Sequence, residues 1–154
     1  MKVQLLSVGR PRDAALATAI GEYEQRAARY WPLEVVEVRE EPGRSAAPEE
    51  VRRREGDRLL ERCATGAHVV ACDERGTLMD SRKFATFLQD ARERAQDVAF
   101  VIGGAHGLHE LVRARARTTL AFCSWTLPHE LARLVLAEQI YRAGTIVRGE
   151  PYHK

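Results

Sequence analysis

Apolar and polar positions along this chain switch between two periods, and the switch repeats five times. Lys2 to Val8 is a short run carrying Val3, Leu5, Leu6 and Val8, stopped by Gly9 and Pro11, which predicts a strand. Leu16, Ile20, Tyr23, Ala27 and Tyr30 then recur at helical spacing. They predict a helix with one apolar face, capped by Asp13 and ended at Trp31-Pro32. Leu33 to Val38 is rich in β-branched residues and predicts a second strand. Glu40 to Pro48 is a loop by composition, and Glu49 to Cys63 a charged helix closed by Gly66. His68 to Asp73 reads as a buried third strand, followed by a turn at Asp73-Glu74-Arg75-Gly76. Ser81 is the expected cap of a helix whose core face is Phe84, Phe87, Leu88 and Ala91. Asp97 to Ile102 is a fourth strand, and a short arginine-rich helix runs from about His109 to Arg117. Thr118 to Cys123 is a fifth strand. The last helix starts near Pro128, a residue favoured at the first helical position, and runs to about Arg142.

Strands alternating with helices in this way predict a doubly wound, mainly parallel α/β sheet. No internal repeat or long linker divides the chain, so residues 1–154 are expected to form one domain. The last helix is apolar on most sides, through Leu131, Leu134, Val135, Leu136, Ala137, Ile140 and Tyr141. Such a helix needs a core or a subunit interface around it, which favours a homodimer.

Composition changes this picture little. Hydrophobic residues make up 45% and charged residues 30%, which argues against disorder. No segment approaches the ~18 apolar residues of a membrane span, and Met1 to Val8 is too short and polar for a signal peptide. Cys63, Cys72 and Cys123 lack CxxC spacing, so free thiols in a reducing cytoplasm are expected and no metal site. The net charge of +2 is unevenly placed. From His106 onward there are seven Lys/Arg against four Asp/Glu; before it, seventeen against eighteen. Arg52-Arg53-Arg54 suggests a nucleic-acid patch. Between Arg39 and Arg62, however, seven arginines meet seven acids, which reads as a solvated helix laced with ion pairs.

Two breaks carry the candidate chemistry. The fourth strand stops at Gly103-Gly104, with His106 and Gly107 close behind. This is neither a GxGxxG fingerprint nor a P-loop, and a double glycine after a strand suits a tight turn and a ligand contact equally. Gly104 would let backbone approach a ligand. The fifth strand leads through Cys123, Ser124, Trp125, Thr126, Leu127 and Pro128 into His129 and a helix N-terminus, where backbone N–H groups are open to a ligand or to an ordinary connection. Ligands bind an open parallel sheet at such carboxyl ends. No nucleophile-elbow pattern surrounds Ser124, which disfavours a hydrolase. The tail, Arg148 to Lys154, groups groups able to stack, exchange a proton and contact phosphate, although a chain end of this kind is more often frayed.

Together, IGGAHG, the run TLPHELARLVLAEQIYRA and the terminal PYHK resemble the small SPOUT-class methyltransferases of the ribosomal large-subunit pseudouridine N3-methyltransferase family. The resemblance spans the whole chain. It implies S-adenosyl-L-methionine as methyl donor, a homodimer, and a C-terminal trefoil knot, which pattern reasoning alone would not propose. It places the donor among the loops after the third, fourth and fifth strands, here Cys72-Asp73, Gly103-Gly104 and Cys123 through Pro128. It implies as substrate a pseudouridine of 23S rRNA in the assembled 70S ribosome. The proton at N3 of that base must leave, which makes Tyr152 and His153 candidates on the tail, Arg142 a charge stabiliser and His129 an alternative in the cleft. Two positions depart from relatives: Gly149-Glu150 stands where some carry Asn-His, and Ala105-His106 where others carry Pro-Glu. His106 is expected to face solvent. A tRNA methyltransferase and a non-catalytic ribosome-binding factor are the competing readings.

Overall fold

In the computed structural model, which describes residues 1–42 and 46–154, strands and helices alternate throughout. They are β1 (Val3–Val8), α1 (Ala14–Ala27), β2 (Leu33–Val38), α2 (Pro48–Arg62), β3 (His68–Leu78), α3 (Ser81–Glu93), β4 (Val98–Ile102), α4 (Glu110–Arg115), β5 (Thr118–Ala121) and α5 (His129–Val147). Part of the loop expected between Glu40 and Pro48, residues 43–45, lies outside the described residues.

The strands form one sheet in the order β2-β1-β4-β3-β5, and every neighbouring pair is parallel. Both faces are covered. Val3, Leu5, Val70, Phe100 and Ile102 pack with Leu88 of α3 and Leu136 and Ile140 of α5. Leu6, Val8, Val69, Ala71 and Val101 pack on the other side with Leu59 of α2 and Val112 of α4. Every residue of β1 and β4 is buried, which is why these strands read as near-continuous apolar runs. Full burial of a side chain such as Leu136 or Ile140 contributes about 1.5–3 kcal/mol. The doubly wound parallel sheet predicted by the alternation is therefore present.

Several boundaries differ, each for a visible reason. The turn expected at Asp73–Gly76 is extended strand, with a register shift against β5 between Cys72 and Thr77. Gly76 permits this, since a Cβ there would lie 2.6 Å from the Thr119 backbone. Asp80, not Ser81, caps α3 by accepting from the Lys83 amide at 2.7 Å; Ser81 donates instead to Gln139 on α5 at 2.8 Å. The short helix is trimmed to Glu110–Arg115, with His109 Nδ1 as its cap acceptor. β5 ends at Ala121, before Cys123. Pro128 occupies the N-cap of α5, one position earlier than expected.

The largest difference is the far end of α5, which continues past Arg142 to Val147. Gly144 lies within this extension. Here it is a contact point, because a Cβ would lie 2.3 Å from Cγ of Tyr30. The helix ends instead on Gly149, at φ +68, with Gly149 N donating to Ile146 O and Glu150 N to Thr145 O. That pair of bonds is a Schellman motif. The tail beyond it is tied down rather than frayed: Tyr30 donates to Glu150 and Tyr152 to Glu138. α5 is buried along one broad face against α1, α3 and the sheet, whereas Leu131, Leu134, Val135 and Tyr141 stay partly exposed in the single chain.

Candidate active site

The carboxyl ends of β3, β4 and β5 surround a cavity of about 860 Å³. Cys72 and Asp73 line it from β3, Gly103 and Gly104 from the end of β4. Cys123, Trp125, Thr126, Leu127, Pro128 and His129 line it from the β5–α5 connection. The two breaks singled out in the sequence thus meet in one place. Ser124 is exposed and stands outside the lining. So does every residue of the tail.

The glycine segment is shaped by its own neighbours. A Cβ on Gly103 would lie 2.5 Å from the backbone carbon of Gly107, and one on Gly104 would lie 2.6 Å from Oε2 of Glu55. Gly107, at φ +80, closes the loop by donating to Gly104 O at 3.0 Å. The expectation that Gly104 is a glycine to admit a ligand therefore has a competing cause inside the protein. His106 is exposed at the loop tip, as expected.

Charges at the cavity floor are locked in pairs. Asp73 accepts from Arg113 Nη1 at 3.1 Å and from the Arg75 amide at 3.0 Å. Burial works to raise the Asp73 pKa, but the bonds from Arg75 and Arg113 outweigh it and hold the carboxyl below its usual range. Arg113 also donates to Leu108 O at 2.7 Å, which fixes the loop after β4. Burial pushes the Cys72 thiol far up, so it is an inert wall at neutral pH. Thr126 bonds Glu74, tying the β5–α5 connection to β3. Nothing in the sequence separated Arg113 from Arg115 and Arg117 beside it, or marked Arg75 and Glu74; the tertiary contact selects them.

Arg142, Tyr152 and His153 form a second cluster. Arg142 Nε donates to Glu138 at 2.9 Å, Tyr152 donates to the same carboxylate at 3.0 Å, and the guanidinium lies 4.6 Å from the Tyr152 ring centre. His153 Nδ1 is 3.3 Å from Arg142 Nη1. Burial, then bonds with Tyr23 and Glu138, raise the Tyr152 phenol well above its ordinary value. Glu138, the hub of the cluster, was not among the sequence candidates; its spacing four before Arg142 was the available signal. The stretch of α5 from His129 to Arg142 is about 20 Å long. The structure thus brings His129 to the cavity and keeps Arg142, Tyr152 and His153 together around Glu138, further along the helix and outside the lining.

Elsewhere, the arginine run of α2 is paired as predicted: Arg52 with Glu49, Arg53 with Glu50 and Asp57, Arg54 with Glu50 and Glu41. Cys63, Cys72 and Cys123 are free. Among the described residues no cluster of three or more His, Cys, Asp or Glu is arranged to hold a metal, and no helix is long and apolar enough to cross a membrane.

Comparison with known proteins agrees with this geometry. The family described as "Predicted SPOUT methyltransferase" matches residues 1–153. Ribosomal RNA large subunit methyltransferase H of Gemmatimonas aurantiaca is 62% identical over 154 residues, covering 100% of both chains. The protein of the same name from Anaeromyxobacter dehalogenans is 47% identical, again over 100% of both. Among solved structures, TrmJ from Z. mobilis ZM4 aligns with all of this chain and 73% of its own at TM-score 0.52 and 19% identity. A probable methyltransferase from Bordetella pertussis aligns with 93% of this chain and 94% of its own at TM-score 0.58 and 18% identity. These two likenesses concern the fold. The matched family and the full-length relatives carry the conclusion: this chain belongs to the SPOUT methyltransferases, beside the ribosomal RNA large subunit methyltransferases H.

Proposed function

We propose that this protein transfers a methyl group from S-adenosyl-L-methionine to N3 of a pseudouridine in 23S rRNA of the assembled 70S ribosome. It does so as a cytoplasmic homodimer, through one methyltransferase domain of residues 1–154 with a knotted C-terminal segment. The observation that carries this reading is the full-length 62% identity to a ribosomal RNA large subunit methyltransferase H.

The cavity fits the methyl donor in size and chemistry. About 860 Å³ is ample for a nucleoside with an amino-acid arm. Ile102, Leu108, Leu120, Phe122 and Leu127 offer an apolar bed for a purine, beside the backbone of Gly103 and of Leu127-Pro128. Glu74 and Glu110 at its edge suit a cationic ligand. When bound, S-adenosyl-L-methionine supplies a methyl on a sulfonium, open to in-line displacement. The chain's own task is then positioning and removal of the N3 proton.

For that proton, the tail cluster supplies the groups. Tyr152 is held protonated, which suits it to donate a hydrogen bond rather than to accept the proton. His153 is the proton acceptor in this reading, and Arg142 stabilises the imide anion, its guanidinium oriented by Glu138. Since Glu138, Arg142, Tyr152 and His153 all stand outside the lining of their own chain's cavity, the tail of one subunit completes the cavity of the other. His129 remains at the cavity as the local alternative.

The test is methyl transfer from labelled S-adenosyl-L-methionine to whole ribosomes, free large subunits and bulk tRNA, side by side. Label in 23S rRNA of whole ribosomes alone is expected. Label in tRNA would overturn the substrate, and no label with cofactor still bound would point to a non-catalytic ribosome-binding factor. Within the site, His153→Ala is expected to lower kcat by ~10²–10⁴ while leaving the thermal shift with S-adenosyl-L-methionine intact.

A further inference from the structure

Trp125 stands apart from the rest of the cavity lining. Its side chain is 78% exposed, more than Leu78 at 58% or Leu111 at 37%, yet it forms part of the cavity wall. Its backbone is anchored on both sides: the Cys123 thiol donates to the Trp125 carbonyl at 3.3 Å, and the Thr126 hydroxyl bonds Glu74. An indole is thereby presented to solvent from a fixed connection at the mouth. Resting on the RNA-methylating function proposed above, we propose that the Trp125 indole is a stacking platform for a base of the substrate RNA, while the backbone of the same connection stays with the methyl donor.

The charges around the mouth favour stacking over phosphate attraction. Arg52, Arg75 and Arg113 line the cavity, but each is already paired, with Glu49, Asp73, and Asp73 with Glu110. Glu49, Asp73, Glu74 and Glu110 outnumber them. A polyanion gains little here from charge. A nucleobase does gain from an aromatic face, whatever its sequence context, because every base has a π surface. The indole is the largest face this lining offers freely: the exposed His106 imidazole is smaller, and Phe122 is only partly exposed and belongs to the packed core margin. A single exposed apolar side chain is common on protein surfaces. Its coincidence with an anchored connection, a cavity mouth and paired arginines gives this one a specific use.

The experiment compares Trp125→Ala, Trp125→Leu and Trp125→Phe with the parent protein. KM for whole ribosomes, kcat, and the Kd for S-adenosyl-L-methionine by calorimetry are measured for each. Trp125→Ala and Trp125→Leu are expected to raise KM for ribosomes about tenfold, the size of one base–aromatic stack, with cofactor Kd changed far less. Trp125→Phe should recover most of the loss, which a merely space-filling role would not require, since leucine fills space too. An unchanged KM overturns the proposal. So does a cofactor Kd weakened as much as the KM, which would make the indole a cofactor cover, or dissociation of dimers in sedimentation, which would make it a subunit contact.

A second readout separates this proposal from the function on which it rests. Trp31 is buried, with its Nε1 bonded to Ile140 O, so Trp125 is the exposed fluorophore of the two tryptophans. A short single-stranded oligouridylate is expected to quench the fluorescence of the parent protein and not that of Trp125→Phe. Quenching without methylation of ribosomes would retain the platform and reject the assigned substrate. Methylation without quenching or a KM effect would do the reverse.

Discussion

At Gly103 an added methyl group would meet the backbone carbon of Gly107 at 2.5 Å, so the loop after β4 closes only because that position has no side chain. Gly103→Ala is therefore expected to displace the loop and weaken S-adenosyl-L-methionine binding by about tenfold or more, read by calorimetry, because the clash is with backbone and no rotamer relieves it. Behind the same loop, Glu55 on α2 is 3% exposed and accepts from the Glu41 amide through Oε1 at 3.0 Å, while Oε2 has no hydrogen-bond partner among the described residues. Burial, with the Glu40 charge helping, raises its pKa above the ordinary value. The sign follows from linkage: the unfolded chain releases this proton first, near pH ~4.3. Glu55 therefore costs stability as pH rises from there, levelling off above its folded value. Glu55→Gln is expected to melt above the parent protein at pH 7, with the gap closing as pH falls towards ~4. That the glycines mark a break was legible in the sequence. That Glu55, one acid among seven in a charged stretch, lies beneath them was not, since nothing local distinguishes it from Glu50 or Glu61.

Helix α5 shows how an element's limits are set from outside it. Its start was readable from Pro128 and the apolar spacing. Its end was not, because Gly144 is a packing glycine under Tyr30 and the true terminator is Gly149. Near the other end, Arg133 is 5% exposed and donates to Glu24 of α1 at 2.8 Å, Glu37 of β2 at 2.8 Å and Ser7 of β1 at 3.2 Å. In sequence it is a polar interruption of an apolar helix; in the fold it pins α5, and with it the β5–α5 connection, to the first half of the chain. Arg133→Met keeps the length of the side chain but leaves Glu24 without its cation and Glu37 with only the exposed Arg10. The expected loss is about 3–5 kcal/mol of stability, measured by urea unfolding. The arginines of α2 are the contrary case. Their partners lie three and four residues away, so their role as a solvated ion-pair face was decided by spacing alone.

At the scale of the whole molecule, the cavity and the tail cluster occupy separate stretches of α5, the first turn and the middle. If tails complete the cavities of partner subunits, two differently damaged chains can restore one another. A chain ending at Arg148 keeps the cavity and lacks Tyr152 and His153; Gly103→Ala keeps the tail and damages the cavity. With S-adenosyl-L-methionine kept well below the weakened Kd, each alone is expected to show little activity on ribosomes. Co-expressed in equal amounts, they should recover about a quarter of the parent activity, since half of the dimers are mixed and each of those holds one intact site of two. A tail that served its own cavity would give no recovery.

The order and type of the elements were determined by the sequence alone, since hydrophobic period is a local property and both faces of a parallel sheet are covered. The two breaks after β4 and β5, and the tail residues that carry the family resemblance, were likewise readable along the chain. Tertiary structure decided what those pieces do to one another. It selected Arg113 to hold Asp73, brought Tyr152 onto Glu138, bulged β3 at Gly76, and carried α5 past Arg142 to Val147. These outcomes depend on atoms far apart in sequence that meet at 3 Å or collide at 2.5 Å. Such distances exist only once the sheet has closed and the helices have packed on it.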